Sequence, residues 1–92
     1  MNFVYRVHAI ERMFQRDVDE ADVERVVKSG EIIESYPDDQ PYPSFLVLGY
    51  VDKRALHVVY AKDENDTIIV ITVYEPTLEK WLEDLKTRRK LS

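Results

Sequence analysis

Residues 54–74 read RALHVVYAKDENDTIIVITVY, and their pattern sets the fold class. In the first half Leu56, Val58 and Tyr60 alternate with Ala55, His57, Val59 and Ala61, the period of a strand. The second half, 67–74, is almost wholly apolar and β-branched, which suits a central strand covered on both faces. Asp63-Glu64-Asn65-Asp66 between them is turn chemistry, since Asn and Asp side chains bond their own backbone. Three polar groups interrupt the block: His57, Thr72 and the hydroxyl of Tyr74. A sheet centre has no structural need for a histidine, and this anomaly raises the question of function.

Working outward, Phe45–Val51 reads as a strand joined to Arg54 by a two-residue turn, Asp52-Lys53. The preceding PDDQPYPS, 37–44, carries three prolines and two aspartates and reads as an exposed, stiffened loop. EIIESY, 31–36, is a further strand. Upstream, VHAIERMFQR, 7–16, is a helix whose Val7, Ile10, Met13 and Phe14 gather on one side. His8, Arg12 and Arg16 line the other side at spacings of four, and no good cap precedes it. Asp19 caps a second helix over 20–28, with Asp22 placed to bond back and Gly30 beyond its end. Downstream, Thr77 is set to cap a last helix over 78–88, with Leu78, Trp81, Leu82 and Leu85 as its apolar stripe and Trp81 packed on the sheet. The expected fold is α+β: two N-terminal helices, a four-stranded, mainly antiparallel sheet, and a C-terminal helix, all in one domain over residues 1–92.

Composition narrows the function classes. The chain has no cysteine, which excludes a disulfide framework, cysteine-ligated zinc and thiol catalysis and suits a reducing cytoplasm. No apolar run approaches the ~20 residues of a membrane helix, and no stretch has the make-up of a signal peptide. The net charge of −5 opposes a free-standing nucleic-acid binder, but the charge is uneven. Residues 1–16 hold three arginines against one glutamate; residues 80–92 hold Lys80, Lys86, Arg88, Arg89 and Lys90 against Glu83 and Asp84. Phosphate contact depends on the local field, so two basic ends meeting in space would form a patch; the same run also reads as a solvated helix face.

The two histidines, His8 and His57, lack metal-ligand spacing; no nucleophile elbow surrounds a serine, and two glycines cannot make a phosphate loop. What remains is a metal-free set of His8, Arg12, Arg16, Arg54, His57, Thr72 and Tyr74. Such a set suits phosphodiester transfer in RNA by a 2′-hydroxyl: imidazoles exchange protons, and guanidinium forks hold phosphoryl oxygens. Each residue also has a structural reading. The helix stripe is a wet face, His57 a buried histidine satisfied by a hydroxyl such as that of Thr72, and Tyr74 a sheet tyrosine.

HAIERMFQR, IIESY, RALHVV, and ITVYEP followed by Trp81 resemble a prokaryotic family of small proteins catalogued mainly as a domain of unknown function and linked to the RelE/BrnT-like toxins. The resemblance implies a type II toxin–antitoxin component: a metal-independent endoribonuclease acting on mRNA, without a cofactor, silenced by a cognate antitoxin. Some relatives are paired with zinc-finger, helix-turn-helix antitoxins. A non-catalytic protein-interaction module or decayed toxin is the alternative. On the family's motifs, His8, Arg12, His57 and Tyr74 are the catalytic candidates and Arg16, Arg54 and Thr72 contact RNA. The basic run adds Lys86, Arg88 and Arg89. An exposed sheet edge also leaves room for self-association. The family pattern has Gly after the second arginine; here Asp17 stands at a turn that favours a left-handed backbone.

Overall fold

The computed structural model describes residues 1–90. The elements are β1 (Phe3–Tyr5), α1 (Val7–Arg16), α2 (Glu20–Ser29), β2 (Glu31–Tyr36), β3 (Ser44–Val51), β4 (Arg54–Lys62) and β5 (Ile68–Tyr74). They form one five-stranded sheet in the order β1-β5-β4-β3-β2. β2 through β5 pair antiparallel, while β1 lies parallel to β5 with Phe3 opposite Ile68.

The expected four-stranded, mainly antiparallel sheet closed by a C-terminal helix is therefore corrected on two counts. First, the entry segment is a strand, and the sheet is mixed. Asn2 accepts from Ile68 N–H at 2.8 Å, and Arg6 N–H donates to Val70 at 3.1 Å. Its pairing partner lies some sixty residues away, so no local pattern announces it. Second, residues 75–90 form no helix. Thr77 accepts from the N–H groups of Lys80 and Trp81, which closes a single turn. The chain then folds back on itself: Leu82 N–H donates to Thr87, Arg89 N–H to Lys80, and Trp81 bridges Arg88. Asp84 at the bend accepts from Lys86 N–H, Thr87 N–H and the Thr87 hydroxyl. Leu85 takes a left-handed backbone, φ 60°. The aspartate's local bonds outcompete the helix ladder, and the loop so formed is called the strap below. The apolar stripe dissolves accordingly: Trp81 is buried, whereas Leu78 and Leu82 are exposed.

One face of the sheet carries both helices. Leu56, Val58 and Tyr60 of β4 meet Ala9, Met13, Val23 and Val26 there. α2 begins at the Asp19 cap, with both reciprocal bonds to Asp22 formed at 2.9 and 3.2 Å. It packs on β3 at Gly49 and stops at Gly30, where an added Cβ would lie 2.5 Å from the Val26 carbonyl oxygen and 2.6 Å from that of Leu48. Gly30 is thus required by close approach; its φ of −77° is ordinary. α1 is rotated from the expected face. Ala9 and Met13 are buried, but Val7, Ile10 and Phe14 point outward, Phe14 at 89% exposure. The rotation turns Arg12 and Arg16 toward β5. At the end of α1, Asp17 is left-handed, φ 55°, and its N–H and that of Val18 close on the last turn.

Candidate functional site

The second face of the sheet holds the polar residues of the central pair. His57 and Tyr74 are directly opposite in the β4–β5 register, as are Val59 and Thr72. Just beyond the second pair, between Val59–Thr72 and Tyr60–Val70, the register slips by one residue at Ile71, a bulge beside Thr72.

His57 is fully buried, 0% exposed. Its Nε2 lies 2.8 Å from the Leu85 carbonyl oxygen and its Nδ1 3.1 Å from the Tyr74 hydroxyl. A carbonyl only accepts, so Nε2 carries the proton; Nδ1 of the neutral ring then accepts from Tyr74. The edge of Trp81 closes on the ring at 4.6 Å. Burial pushes the imidazole below its ordinary pKa, against an opposing pull from the Leu85 carbonyl. His57 therefore fastens the strap to the sheet and has no open face of its own. Surface pairs hold the rest of the strap. Arg88 grips Glu34 through two nitrogens at 2.9 and 3.0 Å and lies over the Trp81 ring; Lys86 pairs with Glu31 at 2.8 Å. Arg89 donates to the Leu78 carbonyl at 2.6 Å.

Fastened this way, the strap forms one wall of a cleft of about 510 Å³. Arg12 and Arg16 come from α1, Thr72, Tyr74 and Glu75 from the end of β5, and Thr77, Glu79, Lys80, Trp81 and Arg88 from the strap. Arg88 is neutralised by Glu34, and Glu75 lies 3.6 Å from Arg54. Among the described residues, Arg12, Arg16, Lys80 and Glu79 have no ion-pair partner. The Arg12 guanidinium makes one bond, to the Gln15 side chain at 3.4 Å. Three free cations thus face one free carboxylate in an open hollow, although the chain as a whole is acidic.

Five of the residues singled out from the sequence meet in this cleft: Arg12, Arg16, Thr72, Tyr74 and Arg88. The other five do not line it. His8 is exposed on α1, one turn before Arg12, about 6 Å along the helix axis. Arg54 donates to the carbonyls of Arg16 and Asp17 at 2.7 and 3.0 Å, satisfying the end of α1. His57, Lys86 and Arg89 are spent on the strap. The cleft residues not singled out as site residues are Glu75, Thr77, Glu79, Lys80 and Trp81. Lys80 was visible as part of the basic run, but a helical reading of the strap hides its direction. Among the described residues no three of His, Cys, Asp and Glu gather as a metal-ligand set, and no helix is long and apolar enough to cross a membrane.

The chain belongs to the DUF4258 family, a domain of unknown function, whose model matches residues 5–75. No curated protein and no solved structure matches it. The match ends at Glu75, so the strap that walls the cleft lies outside the matched residues.

Proposed function

We propose that this DUF4258 member binds single-stranded RNA by its phosphates in the Arg12–Arg16–Lys80 cleft and cuts it without a metal, as the toxin-like half of a toxin–antitoxin pair. The observation that carries the reading is the set of three unpaired cations beside the Tyr74 hydroxyl. Unpaired guanidinium groups in a concave site call for an anion, and two forks at one phosphate match its non-bridging oxygens. In the cleavage, O2′ attacks the neighbouring phosphorus and the bond to the 5′-oxygen breaks, leaving a cyclic 2′,3′-phosphate. Arg12 and Arg16 stabilise the charge growing on the phosphoryl oxygens. Glu79 takes the 2′-hydroxyl proton; the Tyr74 hydroxyl turns its one hydrogen from His57 Nδ1 to the 5′-oxygen and gives it up, and solvent restores both. His57 positions the Tyr74 hydroxyl before substrate binds and touches no substrate. A cysteine-free chain suits a reducing cytoplasm.

The test is anisotropy with a short single-stranded RNA across a salt series, followed by gel analysis of cleavage in excess EDTA. Binding should weaken steeply with salt, and Arg12→Ala/Arg16→Ala should flatten the slope and abolish cutting. Salt-independent binding, or none, overturns the reading. A second reading, a protein-interaction module or decayed toxin, is favoured by the outer face of α1. Val7, Ile10 and Phe14 are 72, 51 and 89% exposed at spacings of three and four. A cognate antitoxin, of the zinc-finger or helix-turn-helix kind, is the expected occupant of that face. If Ile10→Ser/Phe14→Ser leaves co-purification with the neighbouring gene's product intact, this placement fails.

A further inference from the structure

A second hollow of about 570 Å³ opens on the same sheet face, beyond the cleft. Val59 and Ile71 line it together with Tyr36 and Pro37. Two links make it continuous with the cleft. Val59 stands directly opposite Thr72, and Ile71 precedes Thr72 in the chain, so the hollow begins where the cleft's Thr72 ends. On the other side, Tyr36 of the hollow donates to Glu34, which grips Arg88 of the cleft. The rim carries two carboxylates in different states. Asp39 is occupied: Oδ1 accepts from Gln40 N–H at 3.0 Å, and Oδ2 from the buried Ser44 hydroxyl at 2.7 Å. Asp38 has no hydrogen-bond or ion-pair partner among the described residues.

From this geometry, and resting on the cleft's reading as an RNA-phosphate site, we infer that the hollow receives the unstacked base of an adjoining nucleotide and selects guanine. Aliphatic side chains, a proline and a tyrosine offer a planar base the surface that single-stranded RNA recognition uses. An ionised carboxylate only accepts, through two oxygens. Guanine presents two adjacent donors on its pairing edge, N1–H and the 2-amino group, and matches Asp38 in bidentate fashion. Adenine and cytosine each set a ring-nitrogen acceptor beside their single amino group, and uracil flanks its one N–H with two carbonyls; each would turn an acceptor toward the carboxylate. The bulge at Ile71, which bends β5, lies where the cleft gives way to the hollow.

The test uses the full chain and two single-stranded RNAs of equal length that differ only in one central guanine or adenine, read by anisotropy at one salt concentration. Guanine RNA should bind about tenfold more tightly, the discrimination a bidentate pair supplies. Asp38→Ala should erase that difference, bringing the affinities of the guanine and adenine RNAs together. Asp38 is exposed and unbonded, so this variant keeps the fold. A second variant, Ile71→Asp, should weaken both RNAs by charging the floor. Equal affinities for the two RNAs with a steep salt dependence would overturn the guanine site and spare the phosphate cleft. If neither RNA binds, both readings are overturned. Retention of the guanine preference by Asp38→Ala would remove Asp38 as its reader and with it the proposal.

Discussion

Replacing His57 by leucine tests whether the imidazole is a fastener. Leucine keeps the buried volume but has no donor for the Leu85 carbonyl and no acceptor for the Tyr74 hydroxyl. Leaving a buried carbonyl unpaired costs about 1–3 kcal/mol, and the tyrosine bond is worth about 1 kcal/mol. The more apolar side chain returns on the order of 1 kcal/mol, so the net loss is about 2 kcal/mol. A domain of this length is stable by about 5–14 kcal/mol, so the variant folds and the loss is measurable. The assay is urea denaturation at several pH values. The folded imidazole has a depressed pKa, so the unfolded chain binds the extra proton first as pH falls. Wild-type stability is therefore full above the ordinary histidine value of about 6.5 and declines as pH drops below it, by at most about 1.4 kcal/mol per pH unit for one proton. The leucine variant lacks that decline, so the gap between the two proteins narrows from pH 7.5 to 5.5. Glu34, held below the ordinary carboxylate range chiefly by Arg88, adds its own loss in both proteins only at lower pH. A destabilisation under about 0.5 kcal/mol at pH 7.5, or an unchanged pH slope, would show that the imidazole does not hold the strap.

Asp17→Gly relieves a left-handed backbone at φ 55° and should stabilise the domain by about 1 kcal/mol, read as a rise in Tm. Gly30→Ala should do the opposite, by about 1–3 kcal/mol, since the new Cβ meets two backbone oxygens that cannot step aside; calorimetry on the variant decides it. Phe14→Ser should change stability by less than about 0.5 kcal/mol in urea, whereas Met13→Ser, one residue away but buried, should cost more than about 2 kcal/mol. Equal losses for the two would reverse the assignment of the α1 faces.

Much of the chain between Val7 and Tyr74 is legible locally. The Asp19–Asp22 cap, the Asp52-Lys53 turn and the alternation in β4 are short-range signals, and each element sits within about a residue of its expected place. α1 misleads because three members of its coherent apolar stripe, Val7, Ile10 and Phe14, stay outside; only Met13 of that stripe is buried, joined by the small Ala9 in the contact with β5. The strap misleads for a similar reason: Leu78, Trp81, Leu82 and Leu85 have helical spacing, but the bonds of Asp84 and the buried histidine's claim on the Leu85 carbonyl lie outside any periodicity.

Between Val7 and Tyr74 the amino-acid order by itself determined which segments become strands and helices, and it showed which residue types suit phosphate chemistry, because caps, turns and alternation act over a few positions. Tertiary structure decided what those residues face. It set β1 against β5, turned Arg12 and Arg16 toward Tyr74, sealed His57 beneath the strap and placed Lys80 in the cleft. These outcomes depend on contacts between residues tens of positions apart, and on which apolar surface is cheapest to keep from water.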